Sequence, residues 1–352
     1  MKKFFVISAL LILLVITCCL ISCGGSDRNQ EIIKDIETYY KDVDGVEKLH
    51  IKVTYFDGST EERTVDVPKR IINIALAQDS FPVSKTAPEL KLVILYDDET
   101  TETIPVTKDM IKGGAVNFGT IGTYTLELEY HGKTLSTPIY VKDAAYFAIV
   151  DGECVEFASP EEMLTRGGEV KLASDVTLNL DKEIRFDKDT VLDLNGFTLK
   201  LTGPYEFRVC ANVVVKNGTM ISEKAYCFMV GTLTDGDVAG IPGTLTIESG
   251  NYKADITVAQ ATNGTVYVNG GTFEVAPYQG SYAYTFNCYD KAYREEPRTA
   301  DVVITGGTFV NWNPADNAAE GEGTVFAKAG SVITPEEKDG KTFYTVTPAP
   351  AA

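Results

Sequence analysis

The sequence predicts an all-β protein whose C-terminal part consists of stacked repeats of short strands. Segments in which apolar and polar residues alternate occur along most of the chain, and a period of two is the pattern of a β-strand. The phrase GGTF ends one such segment at Gly270 and another at Gly306. The chain therefore repeats a unit larger than a single strand.

Looser versions of this phrase precede the two copies. The glycines that close the strand segments are Gly196, Gly218, Gly250, Gly270 and Gly306. Similarity at a spacing of roughly 20–36 residues is typical of a solenoid, in which each repeat buries its apolar face against its neighbours. We expect these glycines to supply a positive φ at the bends. The residues predicted to face the interior are Leu192, Leu194, Val213, Val215, Leu245, Ile247, Val266, Val268, Val302 and Ile304.

Composition and charge exclude one class of partner. The chain has 352 residues and a formal net charge of −18. A protein this acidic repels phosphate backbones, so we expect no binding to nucleic acid. The same charge disfavours a polyanionic ligand unless calcium takes part.

The N-terminus resembles a bacterial lipoprotein signal. It begins with Met-Lys-Lys, continues with the apolar residues 4–21 and reaches Leu-Ile-Ser-Cys at Cys23, before Gly-Gly-Ser. The resemblance implies a signal peptide over 1–22, lipidation of Cys23 and a tether over 23–30. It also implies an exported protein that is anchored to the bacterial membrane by lipid and exposed at the surface. An uncleaved membrane anchor is the alternative, because about 18 apolar residues can span a bilayer.

Residues 31–67 form a short β-rich or mixed segment in this interpretation. Ile33, Ile36 and Tyr40 have the spacing of a short helix. The residues that follow alternate around Asp57-Gly58, which predicts a hairpin.

Residues 68–142 resemble a bacterial Ig-like domain. The resemblance is carried by the strand-turn-strand LYDDETTETIPVTKDMI, the hairpin GTYTLELEYHGKT and the closing PIYV. It implies a β-sandwich that serves as a surface spacer or binding arm rather than a catalytic domain.

Residues 143–347 resemble the pectate-lyase-like right-handed parallel β-helix family, and 348–352 form a tail. The resemblance is carried by SPEEMLTRGGEVKLASDVTL followed by DLNGFTL. In the first phrase Ser159 and Glu162 form a capping box, with a proline in the first turn. This predicts a short helix that ends at Arg166 and covers the open end of the coils.

The resemblance concerns the fold and implies no catalytic site. Lyases of the family use calcium-binding aspartates with an arginine base, and hydrolases use aspartates with a histidine. His50 and His131 both lie outside the predicted β-helix. One lyase-like fragment, Arg294 to Pro297, is interpreted as a solvated loop.

No metal or cofactor is expected, with calcium as an alternative. The acidic pairs Asp187/Asp189 and Asp235/Asp237 lack the other ligands of known calcium loops, so exposed surface is the favoured interpretation. The cysteines beyond the anchor are Cys154, Cys210, Cys227 and Cys288. Their spacing fits no metal site, and buried thiols are favoured over disulfides.

Three aromatic residues are the candidate ligand-binding site. Tyr267, Tyr289 and Trp312 are predicted to point outward, where flat rings stack on sugar faces and exposed apolar patches mark binding. The favoured function is therefore a non-catalytic surface lipoprotein that binds a glycan or another cell surface. A polysaccharide lyase or glycoside hydrolase, and a structural spacer, are the alternatives. Convergence of three or more charged side chains on one outer face would favour an enzyme.

Overall fold

The computed structural model describes residues 33–43, 46–66, 69–277, 283–317, 321 and 323–348. The predicted signal peptide, Cys23 and the tether lie outside these residues. Within the described residues, no helix is long and apolar enough to cross a membrane.

The chain divides into two compact units. One contains the chain up to Arg70 with Tyr96–Glu99, and the other contains Ile71–Leu95 and the chain from Thr100 onward.

The first unit contains a three-stranded antiparallel sheet of β1 (Ile33–Val43), β2 (Val46–Tyr55) and β3 (Thr60–Asp66), in that order. The predicted hairpin around Asp57-Gly58 is confirmed, with Gly58 at a φ of 86°. The short helix considered for the start of this segment is wrong. An isolated helix of that length is marginal in water, whereas the β-branched and aromatic residues of β1 favour a paired strand.

The second unit begins with two small sheets. One consists of β4 (Ile71–Leu76), β6 (Lys91–Tyr96) and β7 (Thr101–Pro105). The other consists of β5 (Ser80–Pro82), β10 (Lys133–Lys142), β9 (Gly122–Tyr130) and β8 (Ile111–Gly113), in that order. The hairpins β6–β7 and β9–β10 form where the sequence predicted them. Two 3-10 turns cover Lys108–Met110 and Ala144–Tyr146.

Three long sheets follow. Sheet A is, in order, β12 (Glu153–Glu156), β11 (Phe147–Val150), β13 (Gly168–Leu172), β16 (Thr190–Asp193), β19 (Asn212–Lys216), β22 (Gly243–Ile247), β25 (Gly264–Val268) and β28 (Ala300–Ile304). Sheet B is β14 (Val176–Leu178), β17 (Thr198–Leu201), β20 (Thr219–Ser222), β23 (Asn251–Ala254), β26 (Thr272–Val275), β29 (Gly307–Val310), β31 (Lys341–Thr347) and β30 (Val332–Lys338). Sheet C is β15 (Ile184–Phe186), β18 (Phe207–Val209), β21 (Phe228–Val230), β24 (Ala259–Ala261) and β27 (Phe286–Cys288).

From β13 onward the chain passes through sheets A, B and C in turn, and we call each passage a coil. Neighbouring strands from successive coils are parallel, in keeping with the stacked repeats that the sequence predicted. Sheet A begins with the antiparallel hairpin β11–β12, and sheet B ends with antiparallel β31 and β30. This connectivity is compatible with a parallel β-helix.

The predicted interior residues face the core. All ten of them are 3% exposed or less. Val268 lies in register between Ile247 and Ile304, and Val266 lies in register between Leu245 and Val302. Apolar side chains therefore stack in continuous columns along the coils, which keeps them out of water.

The repeated phrase places a threonine outside and a phenylalanine inside. Phe273 and Phe309 are fully buried, whereas Thr272 is exposed. The ring of Phe273 stacks on Tyr252 with centroids 5.2 Å apart and on Phe309 with centroids 5.0 Å apart. Offset stacking of this kind is a favoured geometry for aromatic pairs. GGTF is thus an element of architecture.

The two glycines of the phrase serve different needs. Gly271 and Gly307 have φ values of 113° and 115°, which strongly favour glycine. Of the five glycines expected to have a positive φ, Gly196 and Gly250 do, whereas Gly218, Gly270 and Gly306 do not, so the expectation is wrong for these three. A Cβ on Gly270 would lie 2.6 Å from the carbonyl oxygen of Glu248 on the preceding coil, and Gly306 is similarly confined. Close approach of two backbones explains these positions.

The predicted helix forms as α1 (Pro160–Thr165). Ser159 Oγ accepts a hydrogen bond from the Glu162 N–H at 3.0 Å, and Arg166 is the C-cap. Met163 and Leu164 are fully buried in the core cluster of the coils, so α1, which precedes β13, packs onto the first coil. A second helix, α2 (Asp290–Arg294), follows sheet C in the fifth coil.

We predict that Val268→Asp destabilises the second unit by about 4 kcal/mol or more, because the carboxylate would be buried between two isoleucines without a partner. Tyr267→Asp is the matched control, since the neighbouring side chain points outward and is 40% exposed. Denaturant unfolding of both variants would measure the difference. Equal stability of the two variants would contradict the inward position of Val268.

Candidate ligand-binding face

The structure does not bring the three predicted aromatic residues together. Tyr267 lies on the outer face of β25, as predicted. Tyr289 lies in the connection after β27 and is half-buried against the core. Trp312 is only 4% exposed. One outward ring therefore remains of the predicted patch.

The prediction that Trp312 points outward is wrong. Its ring packs against Phe309, Phe286 and Phe326, with centroid separations of 5.4, 6.0 and 6.3 Å. Tyr252, Phe273 and Phe309 form a column of stacked rings. The last ring of this column would otherwise be open to water, and the large indole covers it. The Nε1–H finds no hydrogen-bond partner in the described part of the chain, so burial of the ring outweighs this polar cost.

Sheet C presents a regular outer face. Each of its five strands has three residues, of which the first and last are buried and the middle one is half-exposed. The middle residues lie in register and are Arg185, Arg208, Met229, Gln260 and Asn287. Neighbouring strands are about 4.8 Å apart, so the row extends over about 19 Å. We call this row the C-face.

Charged groups converge on the first two coils of the C-face. The Nη2 group of Arg208 lies 3.0 Å from Glu183 and 3.5 Å from Glu206, and Nη1 donates to the Gly231 carbonyl at 3.2 Å. Arg185 Nε pairs with Asp187 at 2.6 Å. The convergence that would favour an enzyme is therefore present here.

Each of these five groups has an ionic partner within the cluster. Glu206 is only 8% exposed, and burial raises the pKa of its carboxyl, with Glu183 adding to the rise and Arg208 opposing it. Glu183 and Glu206 occupy equivalent positions on successive coils, and the Arg208 guanidinium bridges them. Because the donors of Arg208 already have partners on three sides, this cluster has the character of a structural ion-pair network.

The remaining half of the C-face is uncharged and open to hydrogen bonding. The side-chain amides of Gln260 and Asn287 make no hydrogen bond within the described residues. The connections after β21 and β27, 231–242 and 289–299, are the longest that follow a strand of sheet C. These two loops belong to the third and fifth coils. The fourth coil, which carries Gln260, has only the short connection 262–263 at the same place. This half of the face thus has free donors and acceptors next to two large loops.

The acidic pairs and cysteines add no metal site. Across the described residues, no group of three or more His, Cys, Asp or Glu side chains is placed to hold a metal ion. Asp189 accepts hydrogen bonds from the backbone N–H and Nδ2 of Asn212 at 2.9 and 3.0 Å, so it connects two coils. All four described cysteines are free thiols. Cys227 and Cys288 are buried, as the favoured interpretation held, whereas Cys154 and Cys210 are half-buried.

Sequence reasoning missed the C-face. Its strands are three residues long, too short for alternation to be recognised, and its members are separated by 21 to 31 positions along the chain. A usable signal was present in the triplets IRF, FRV, FMV and FNC, where one polar or flexible residue stands between two apolar ones. Aligning these triplets by coil would have placed the middle residues on one face.

No protein-family model matches the sequence. No curated protein matches it significantly.

We predict that Trp312→Ala lowers the free energy of unfolding by about 3–5 kcal/mol, because it leaves a cavity at the end of the aromatic column. Tyr267→Ala should change stability far less, since that ring is largely exposed. Denaturant unfolding followed by tyrosine and tryptophan fluorescence, with circular dichroism for the variant that lacks tryptophan, measures both. A Trp312→Ala protein as stable as the parent would contradict the buried position.

Proposed function

We propose that the chain is a non-catalytic surface lipoprotein that binds a glycan through the C-face. In this proposal residues 68–142 are a bacterial Ig-like domain that acts as a spacer. Residues 143–347 are a right-handed parallel β-helix of the pectate-lyase-like kind, which presents the ligand-binding surface. The Leu-Ile-Ser-Cys sequence that ends at Cys23 supports anchoring to a bacterial membrane. The in-register coils support the β-helix.

One observation carries the binding proposal. Gln260 and Asn287 present outward amides on successive coils, and neither amide has a hydrogen-bond partner in the described residues. An amide offers both donors and acceptors, which suits the hydroxyl groups of a sugar. A row that extends along five coils suits an extended polymer better than a small compact ligand.

Catalysis is the second candidate, because five charged residues converge on the C-face. The burial of Glu206 and the engaged donors of Arg208 favour a structural role for that cluster instead. The proposal therefore expects no turnover of polysaccharides by the purified chain, with or without calcium. Release of sugar products from any polymer in a panel would replace binding by catalysis as the function.

We predict that Gln260→Ala together with Asn287→Ala weakens glycan binding about thirtyfold, since two hydrogen bonds of about 1 kcal/mol each would be lost. The ligand would first be found on a glycan array with the full chain in detergent, and calorimetry would then measure affinity. Thr219→Ala with Thr272→Ala, on the outer face of sheet B, is the matched control and should bind normally. Unchanged affinity of the amide variant would contradict binding at the C-face.

We also predict that Cys23→Ser abolishes lipid attachment, because the thiol that receives the lipid is lost. The variant should remain unprocessed or be released from the membrane fraction. Metabolic labelling with a fatty-acid analogue and membrane fractionation measure the two effects. Labelling at the parental level would show that Cys23 is not the anchor.

A further inference from the structure

The charged half of the C-face consists of Arg185 and Arg208. Two guanidinium groups on an outer face would ordinarily attract carboxylate or sulfate groups of a polymer. Here each guanidinium already has a carboxylate partner from its own coil or from the coil before it. Arg185 is paired with Asp187 at 2.6 Å, and Arg208 is paired with Glu183 at 3.0 Å.

The two guanidinium groups are therefore outnumbered by carboxyl groups and leave no unpaired positive charge in this cluster. Asp187, Glu183 and Glu206 provide three carboxyl groups to two guanidinium groups, within a chain of net charge −18. An incoming polymer carboxylate would meet groups of its own sign and would have to displace a formed ion pair. Like-charge juxtaposition of this kind rejects a partner.

The other half of the face offers nothing to offset this rejection. Met229, Gln260 and Asn287 carry no charge, and the one charged residue in register with them on sheet C is Arg208, beside Met229, which already has carboxylate partners. The outer groups that are free to bind are amides, which recognise hydroxyl groups and do not need a charged ligand.

We propose that the C-face selects uncharged polysaccharides, with Glu183 and Asp187 acting as specificity-determining residues that neutralise Arg208 and Arg185. This inference rests on the proposed glycan-binding function and adds the class of ligand to it. The two carboxylates are 40% and 58% exposed, so they can be replaced without opening the core. Removing them should convert the face into an anion-binding surface.

The test uses the full chain in detergent. Dextran, galactomannan and xylan serve as neutral probes, and polygalacturonate and alginate serve as polyuronate probes. The parent should bind at least one neutral polymer and neither polyuronate. Glu183→Gln with Asp187→Asn should gain at least tenfold in affinity for a polyuronate at low ionic strength. Most of that gain should disappear in 0.5 M salt, because salt screens exposed charges.

Two controls assign the gain to the named groups. Glu336→Gln with Glu337→Gln, on the exposed strand β30, changes the net charge by the same amount and should gain no polyuronate binding. Adding Arg185→Gln to the Glu183/Asp187 variant should remove most of the gain. Thermal melting of each variant checks that it is folded.

The outcomes separate the two proposals. Polyuronate binding by the parent, no gain in the Glu183/Asp187 variant, or an equal gain in the Glu336/Glu337 variant would each overturn the specificity inference and leave glycan binding intact. A parent that binds no neutral polymer, with a variant that still gains polyuronate binding, would overturn glycan binding. The same result would support the role of the two carboxylates.

Discussion

The in-register pairing of successive coils is the constraint on which the rest of the second unit depends. Because the parallel strands pair without slippage from β13 to β29, each residue lies directly above its counterpart on the next coil. Inward positions are therefore mostly apolar, with buried exceptions such as Thr190 and Ser222, and outward positions form aligned rows. The buried columns and the C-face are two consequences of the same pairing.

Sequence reasoning succeeded where a signal is local or repeated. The alternating segments predicted the strands, the capping box predicted α1, and the repeated glycines predicted where the bends lie, although only two of the five have the expected positive φ. It failed for a residue whose burial depends on how the last coil is covered. Trp312 follows the last repeat, and no further coil follows it among the described residues, so nothing in its local pattern shows that the indole itself covers the core.

The C-face was hidden for a different reason. A strand of three residues contributes one outward side chain, and the partners of that side chain come from other coils. The pairing of Arg208 with Glu183, 25 residues away, depends on the length of each coil. Only the structure supplies that length, because the connections between strands vary from two residues to long loops. The same pairing places Glu183 next to Glu206, and the bridging guanidinium makes this like-charged neighbourhood tolerable.

The antiparallel end of sheet B has a consequence for assembly. A stack of parallel coils ends in unpaired backbone groups, and two such ends from different molecules could join into a growing fibre. Here β31 reverses direction and β30 becomes the outermost strand, with Pro335, Glu336 and Glu337 along it. Proline lacks an N–H to donate and the acidic side chains repel a second copy. Neighbouring copies of the chain would therefore be kept from polymerising end to end through this sheet.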